Sequence, residues 1–553
     1  MRTWLGLAVL LGSACGTTPI TGTERDAASP PEAGGPGDVG AMEDAGATPL
    51  DAGADLDAGL GCGQAPTAPT EVRTAFGNVL GTAEGGVIRF RGIPFAAPPL
   101  GALRFAPPAP PACAASPLNA ADYGPACAQV DADGKLLGAE DCLTLNVFTP
   151  ALTATAAMPV LFFIHGGGNI SGSARLTAAD GTLVYDGTAL AKATRSVVVT
   201  VQYRLNAFGF LTHPAVGAGN LGLLDQIAAL RYVAANIQAF GGDPSRVLVF
   251  GESAGAVDTC MLVASPAARG LFSAALMESG ACVASPKATR EMQGQEVVMR
   301  AGCADAPDVL ACLRGLSTEA LALAKPGVIN LATGTIADYG PTIDGTILPA
   351  APLTLIKNGQ HNAVPMIIGS NLEETFEGVP AIPSCAAYES NVRMMFPVLG
   401  DTVLGLYPCA AYPSPRLAFT DLTTDARFTC NARRAARAVT GAGGAVWRYH
   451  FVQHLEASRV PMLAVHGMEL AFVFGTLGIA GYRATAGEIA LAAGIEHAWG
   501  SFARAGSPSA SELPSWPRND GAGEPYLELS SAPRVASALK ASACDFWDRV
   551  AGE

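Results

Sequence analysis

A serine flanked by small residues is the first feature of this sequence that could perform chemistry. The segment GESAG at residues 251–255 follows the apolar run RVLVF and precedes a second apolar stretch. Glycines on both sides allow Ser253 to stand on a sharp turn between a strand and a helix, where its hydroxyl stays accessible. We therefore predict that Ser253 is the nucleophile of an acyl-transfer reaction.

A nucleophilic serine also needs hydrogen-bond donors for the oxyanion that forms during attack. The segment HGGG at residues 165–168 follows the apolar run MPVLFFI, and its glycines leave backbone N–H groups unobstructed. We expect the N–H groups of Gly167, Gly168 and Ala254 to form this oxyanion hole. A phosphate-binding loop is the alternative, but neither a following GK[ST] nor a GxGxxG pattern with its acid is present.

The segments around these motifs indicate a doubly wound α/β fold. Residues 158–164, 196–203 and 246–250 are apolar and rich in β-branched residues, as buried strands of a parallel sheet are. Residues 225–240 carry apolar side chains at helical spacing and end at GGDP. Because strands alternate with helices, we expect a large, mostly parallel central sheet flanked by helices.

From about Glu71 to the C terminus the sequence resembles the type-B carboxylesterases, the cholinesterase-like branch of the α/β-hydrolases. The matching segments, in the order of that family, are FRGIPFAAPPLGALRF, EDCLTLNVFTP, HGGG with YDGTALA, VTVQYRLNAFGFL, NLGLLDQIAAL, NIQAFGGDPSRV, GESAGA, CLRGL, HGMELAFVFG and WGSFARAGSP. The resemblance implies a single α/β-hydrolase domain that hydrolyses uncharged carboxylic esters as a monomer. It implies no metal and no organic cofactor.

The resemblance also indicates the base and the acid of a catalytic triad. HGMELAFVFG resembles the family's His-Gly-x-Glu segment, which makes His466 the predicted base. IIGSNLEETFEG resembles the loop that carries the family's glutamate, and the alignment places the acid at Glu374. Thr375 stands where the family usually has glycine, so Glu373 and Glu377 remain competitors. The order serine, acid, histidine along the chain is the one expected of this fold.

Three further positions lie near the predicted site. One precedes the nucleophile, and the other two differ from the residues that are common in the family. Glu252 precedes the nucleophile, and in the family this glutamate lies close to the site. Asn169 stands where the family often has an aromatic residue, which predicts a more polar acyl side. Asp258 stands where the family commonly has serine; a buried carboxylate needs a partner, and the sequence does not identify one. The segment at residues 127–142 has no aromatic residue, which argues against choline esters.

Cysteine usage predicts a disulfide framework. The chain has 13 cysteines, and setting Cys15 aside leaves an even number in a chain with an export signal. The resemblance implies the bridges Cys127–Cys142, Cys303–Cys312 and Cys430–Cys544. The connectivity of the other six stays open, and one arrangement pairs Cys62 with Cys113, Cys260 with Cys282, and Cys385 with Cys409. The resemblance also implies two structural ion pairs, Arg104 with Glu140 and Arg204 with Asp225.

The N-terminal region predicts export. Residues 1–15 combine Arg2, an apolar stretch and small residues before Cys15, and they resemble a bacterial lipobox. Acylation of Cys15 would hold the protein at a membrane surface, whereas a plain secreted or periplasmic protein is the alternative. Residues 16–70 hold nine acidic residues against one basic residue and have no apolar periodicity, which predicts a disordered linker. We therefore expect the catalytic domain to span residues 71–553.

Together these features predict an exported serine carboxylesterase acting through an acyl-enzyme on Ser253. The net charge of -14 argues against nucleic acid as a partner, because phosphate binding needs a basic face. A lipase or an amide- or carbamate-cleaving enzyme on the same triad is an alternative, since one site attacks many carbonyls. A non-catalytic adhesion or binding protein of the same fold is the other alternative.

Overall fold

The protein is described from a computed structural model that covers residues 62–336, 339–458, 462–521 and 523–552. The predicted signal segment, Cys15 and most of the predicted linker lie outside the described residues. The last residues of that predicted linker do belong to the folded part, because Cys62 forms a disulfide with Cys113. The carboxylate of Glu71 also accepts hydrogen bonds from the backbone and hydroxyl of Thr67. The folded part therefore begins no later than Cys62.

The centre of the fold is an 11-stranded sheet. Its strands are β1 (Thr82–Glu84), β2 (Val87–Pro94), β3 (Thr144–Thr149), β4 (Met158–Ile164), β5 (Val197–Val201), β6 (Gly242–Glu252), β7 (Ala274–Glu278), β8 (Met366–Asn371), β9 (Val446–Phe451), β10 (Pro525–Leu529) and β11 (Arg534–Ser537). The strand order is β11-β10-β9-β8-β7-β6-β4-β5-β3-β2-β1. All neighbouring pairs from β5 across to β10 are parallel, and the pairs at both edges are antiparallel.

Helices cover both faces of this sheet. They are α1 (Thr188–Thr194), α2 (Asn206–Phe210), α3 (Leu221–Asn236), α4 (Ala254–Ala264), α5 (Lys287–Arg300), α6 (Val309–Gly315), α7 (Thr318–Ala324), α8 (Pro352–Lys357), α9 (Cys385–Met395), α10 (Gly400–Leu406), α11 (Pro415–Thr424), α12 (Cys430–Gly441), α13 (Leu470–Val473), α14 (Ala486–Ala505) and α15 (Ala541–Val550). A π-helical turn, Asp425–Thr429, joins α11 to α12. None of the helices in the described ranges is both long and apolar enough to span a membrane.

Short strands outside the central sheet complete the fold. Glu71–Thr74, Gly77–Leu80 and Leu118–Asn119 form a three-stranded sheet, and the two-stranded pairs are Gln129–Val130 with Leu136–Leu137, Thr212–His213 with Gly217–Ala218, Ser285–Pro286 with Thr342–Ile343, and Ile329–Asn330 with Thr335–Ile336.

The predicted mostly parallel α/β sheet is confirmed. Its strands could be recognised in the sequence as apolar runs because both of their faces are buried. Every residue of β4 and β5 is buried, since helices cover both faces. Side chains on one face pack in the larger apolar core and those on the other face in a second core. Boundaries differ: β6 begins at Gly242, four residues before the apolar run, and the predicted helix starts at Leu221 and ends in a 3-10 turn.

Disulfides and buried ion pairs fasten the loops to this sheet. The six disulfides of the described chain are Cys62–Cys113, Cys127–Cys142, Cys260–Cys282, Cys303–Cys312, Cys385–Cys409 and Cys430–Cys544. The guanidinium of Arg204 bonds both carboxylate oxygens of Asp225, at 2.8 and 2.7 Å. Arg104 bonds Glu140 in the same two-pronged way. Both pairs are buried.

Candidate active site

Ser253 stands on a strained turn at the carboxyl end of β6, directly before α4. Its φ of 58° and ψ of -121° lie in a region that residues other than glycine rarely adopt. Its backbone N–H donates to the carbonyl of Glu278 at 2.9 Å, which holds the turn. The space around the turn is as tight as the motif predicted, because a Cβ on Gly255 would lie 2.0 Å from the carbonyl oxygen of Ile164.

The glycine loop after β4 lies beside this serine. Gly167 has a φ of 106°, and a Cβ there would lie 2.1 Å from the carbonyl oxygen of Ser171, so only glycine fits. Gly168 also has a positive φ, and the side chain of Ile329 lies directly over it. Ala254 is the first residue of α4, so its N–H has no acceptor within the helix. The three predicted oxyanion donors therefore come from two segments that meet at Ser253.

Two cavities meet at Ser253. One of about 400 Å³ is lined by Gly167, Glu252, His466 and the segment from Ser171 to Thr177. The other, of about 340 Å³, is lined by Gly168, Asn169, Ala254, Val257, Ile329, Leu331, Phe428 and two arginines, Arg290 and Arg427. An extended molecule can place its centre at the hydroxyl and one arm in each cavity.

Glu374 and His466 contact each other, as the sequence predicted. The Nδ1 of His466 lies 2.6 Å from Oε2 of Glu374, and both side chains are almost fully buried. The other oxygen of Glu374 accepts a hydrogen bond from the backbone N–H of Asn371 at 2.7 Å. The carboxylate therefore fixes the imidazole through Nδ1, and Nε2 is the ring nitrogen that this bond leaves available.

The competing carboxylates point elsewhere. Glu373 bonds Nε2 of His454 and accepts from the backbone N–H of Ala464. Glu377 is exposed. Thr375, where the family usually has glycine, turns away from His466 and bonds the hydroxyl of Thr423 on α11 at 2.6 Å. The threonine is accommodated by α11 and leaves the neighbouring Glu374 in contact with His466.

The Nε2 of His466 lies 3.1 Å from Oε1 of Glu252, the residue before the nucleophile. This geometry is not that of a hydrogen bond, and Nε2 has no other hydrogen-bond partner among the described residues. Burial alone would lower the pKa of His466, but the carboxylates of Glu252 and Glu374 outweigh it and raise that pKa to about 9. Burial raises the pKa of Glu252 to about 7, opposed by the imidazole.

Two further buried carboxyl groups near this cluster were not identified from the sequence: Glu469 lies close to His466, and Glu278 lies close to Glu469 and Glu252. Glu469 accepts from Ser279 Oγ at 3.2 Å and from the side chain of Asn371. Glu278 accepts from the indole N–H of Trp499 at 2.9 Å. Burial raises the pKa of both groups, that of Glu469 to about 8. Glu469 could have been found from the sequence, because it is the acidic residue of the HGME segment that begins at His466.

Asp258, whose partner the sequence could not identify, bonds two side-chain amides. Its Oδ1 accepts from Nδ2 of Asn169 at 3.1 Å, and its Oδ2 accepts from Nε2 of Gln226 at 2.7 Å. All three side chains are buried, and Asn169 lines the 340 Å³ cavity. Asn169 makes this side of the cavity more polar, as predicted, but its Nδ2 group is already occupied by the hydrogen bond to Asp258.

Other histidines occupy separate sites. His165 is buried and stacks on Tyr203, and burial lowers its pKa to about 4. His450 is buried on β9, where its Nδ1 contacts the carbonyl of Ser370. His497 pairs with Glu512 near the surface. Within the described ranges, no group of three or more His, Cys, Asp or Glu residues has an arrangement that could hold a metal ion.

Comparison with known proteins identifies the relatives of this chain. The model of the carboxylesterase family matches residues 68–396 and 410–547. The chain is 35% identical over 537 residues to the medium-chain fatty acyl-CoA hydrolase precursor of Anas platyrhynchos, covering 88% of this chain and 93% of that protein. It is 32% identical to liver carboxylesterase 1 of Oryctolagus cuniculus, covering 88% and 94%. It is 34% identical to the cocaine esterase of Homo sapiens, covering 88% and 93%.

The contact between His466 and two carboxylates predicts a measurable titration. In protein labelled at its seven histidines, the His466 imidazole should titrate above the ordinary pKa near 6.5, toward about 9. Glu252→Gln should lower that pKa, because it removes the carboxylate whose charge favours the imidazolium most. The measurement is a pH titration of the histidine NMR signals, with His466→Gln used to assign the signal.

The matched control is Glu512→Gln, which removes the carboxylate beside His497 and should leave the His466 signal unchanged. A His466 pKa below 6.5 in the unaltered protein, or one that Glu252→Gln does not move, would contradict the electrostatic description.

Proposed function

The chain belongs to the carboxylesterase family, and from its site we infer that Ser253, His466 and Glu374 hydrolyse carboxylic esters through an acyl-enzyme. The family membership makes the protein a carboxylic ester hydrolase. The observation that carries the residue assignment is the 2.6 Å contact between Glu374 and His466 beside a cavity that Ser253 also lines. These groups supply a nucleophile, a base and an orienting acid.

In the proposed mechanism the neutral form of His466 accepts the proton of Ser253 through Nε2 while the hydroxyl oxygen attacks the ester carbonyl. Because the pKa of His466 is raised to about 9, the neutral form, and with it the rate, increases as the pH rises toward that value. Nε2 lies 3.1 Å from Oε1 of Glu252, and catalytic hydrogen bonds commonly reach their working length only when substrate is bound. Glu374 keeps the imidazole in the tautomer with its proton on Nδ1 and stabilises the imidazolium. Protonated His466 then gives its proton to the leaving alcohol.

The N–H groups of Gly167, Gly168 and Ala254 are proposed to stabilise the oxyanion of each tetrahedral intermediate. Removing one such donor typically costs about 10²–10³ in rate. Water activated by His466 attacks the acyl-enzyme in the second half of the reaction and releases the acid. Glu252, beside Nε2, is proposed to favour the imidazolium at both stages.

The proposed substrates are uncharged esters with a moderate group on each side of the carbonyl. The two cavities at Ser253 support this choice, since each can take one arm of the ester. Arg290 and Arg427 line the smaller cavity and disfavour a cationic group there. This agrees with the absence of an aromatic residue between Cys127 and Cys142 that could hold a choline group.

The first test is hydrolysis of p-nitrophenyl esters with acyl chains of two to sixteen carbons. Ser253→Ala should lower kcat/KM by at least about 10⁴-fold, because no other group forms the acyl-enzyme. Ser273→Ala is the matched control: that serine bonds the carbonyl of Val247 and should leave the rate unchanged. An unaltered protein no faster than Ser253→Ala would refute the proposal, and a preference confined to the longest chains would favour a lipase.

The assignment of the acid has its own test, because Glu373 and Glu374 are neighbours. Glu374→Gln should lower kcat by about 10²–10⁴-fold, since the amide favours the wrong imidazole tautomer. Glu373→Gln changes the same chemical group one residue away and should keep the rate within about tenfold, because its partner is His454. The reverse result, with Glu373→Gln inactive and Glu374→Gln active, would reassign the acid.

We also propose that the protein is exported as a monomer tethered through acylated Cys15 and the acidic segment that follows it. Six disulfides support an oxidising compartment. In the native host, the full-length protein should fractionate with membranes, and Cys15→Ser should move it to the soluble fraction with its specific activity retained. A full-length protein that is already soluble would leave plain secretion as the explanation.

A further inference from the structure

Asp258 is a buried acid placed one turn behind the nucleophile. It lies on α4, four residues after Ala254, and is fully buried. It has no ion-pair partner among the described residues, and its two oxygens accept hydrogen bonds only from the amides of Asn169 and Gln226. Burial raises its pKa to about 7, and these two hydrogen bonds work against that rise.

The bond from Asn169 to Asp258 connects two separate parts of the proposed oxyanion hole. Gly167 and Gly168 lie on the loop after β4, and Asn169 directly follows them. Ala254 begins α4, which also carries Asp258. A single side-chain hydrogen bond of 3.1 Å therefore ties the loop donors to the helix donor.

Asn169 is held on its backbone as well as on its side chain. Its φ of 59° lies in the left-handed region, which asparagine tolerates better than most residues. Its carbonyl accepts from the N–H of Asn206 at 2.7 Å. Gln226, from α3, holds the second oxygen of Asp258, so the carboxyl group cannot turn away from Asn169 without losing a bond.

We propose that Asp258 is a positioning residue, which through Asn169 fixes the glycine loop against the start of α4 and so sets the spacing of the oxyanion donors. The proposal rests on the proposed esterase mechanism and adds to it a part that lies outside the triad. Asp258 itself touches neither substrate nor the reacting atoms.

Breaking the bond between Asp258 and Asn169 should weaken the stabilisation of the transition state more than the binding of the substrate. Oxyanion donors act only when they lie about 2.7–3.1 Å from the oxyanion, so a small displacement of the loop weakens them. The bound ester carbonyl carries little charge and depends less on these donors. Loosening the loop should therefore lower kcat and leave KM nearly unchanged.

The role requires hydrogen bonds, and it does not require a charge. In Asp258→Asn the remaining carbonyl oxygen can still accept from Gln226. The new amide can donate to Oδ1 of Asn169 after a half-turn of that side chain. Oδ1 of Asn169 is buried and has no hydrogen-bond partner in the described part of the chain. The asparagine variant is therefore the conservative replacement that should restore function.

The experiment compares four variants by steady-state hydrolysis of p-nitrophenyl butyrate and by thermal unfolding. Asp258→Ala and Asn169→Ala each break the bond and should lower kcat by about 10–100-fold, with KM changed by less than about threefold. Asp258→Asn should stay within about fivefold of the unaltered protein. Thr259→Val is the control: it removes a buried hydroxyl of α4 that bonds only within the helix, so it should lower stability without lowering kcat.

A second readout follows the oxyanion directly. A trifluoromethyl ketone, which forms a charged tetrahedral adduct on the serine, should lose affinity for Asp258→Ala by the same factor as kcat/KM. If that variant does not fold, Asn169→Ala breaks the same bond from the cavity side and decides the question.

The proposal is overturned if Asp258→Ala and Asn169→Ala keep kcat within threefold, or lose activity through KM alone. It is also overturned if Asp258→Asn is as slow as Asp258→Ala, since the charge would then be the requirement. Failure of the esterase mechanism is a different result: the unaltered protein itself would then show no turnover above Ser253→Ala.

Discussion

The site depends on one buried hydrogen bond, between Nδ1 of His466 and the carboxylate of Glu374. Glu252 lies on the other side of the same imidazole, and the buried carboxyl group of Glu469 lies near enough to act on its charge. Burial raises the pKa of Glu252 and Glu469, whereas a proton on His466 stabilises the charged form of a neighbouring carboxylate. This arrangement favours the imidazolium, the form that the proposed mechanism produces when Ser253 is deprotonated.

The parallel sheet brings the three proposed triad residues together from distant parts of the chain. Ser253 follows β6, Glu374 follows β8 after a short turn, and His466 follows β9 after a longer loop. β9 and β8 are neighbours, β7 lies between β8 and β6, and all of these strands run in the same direction. Their carboxyl ends therefore open at one edge of the sheet, which is where α/β folds assemble sites.

The proposed oxyanion hole is also assembled from separate segments, and a contact is needed to hold these segments at a fixed distance from each other. Its donors belong to a glycine loop and to a helix start, two segments without a covalent connection nearby. Glycine is required in the loop because of its backbone angles, yet it contributes no side chain that could hold the loop in place. Asn169 and Asp258 provide that link in this chain, at the cost of burying a carboxyl group beside the site.

The sequence by itself determined the features that depend on neighbouring residues. The GESAG turn and the HGGG loop follow from steric limits on a few consecutive residues, and the buried strands appear as unbroken apolar runs. Resemblance added His466 and Glu374, but left Glu373 and Glu377 open. Only the tertiary structure decided which of these carboxylates contacts His466, which cysteines pair, and which groups satisfy Asp258. The reason is physical: Asp258 and Asn169 are 89 residues apart, and their contact depends on how a loop packs against a helix. No local pattern in the chain encodes that packing.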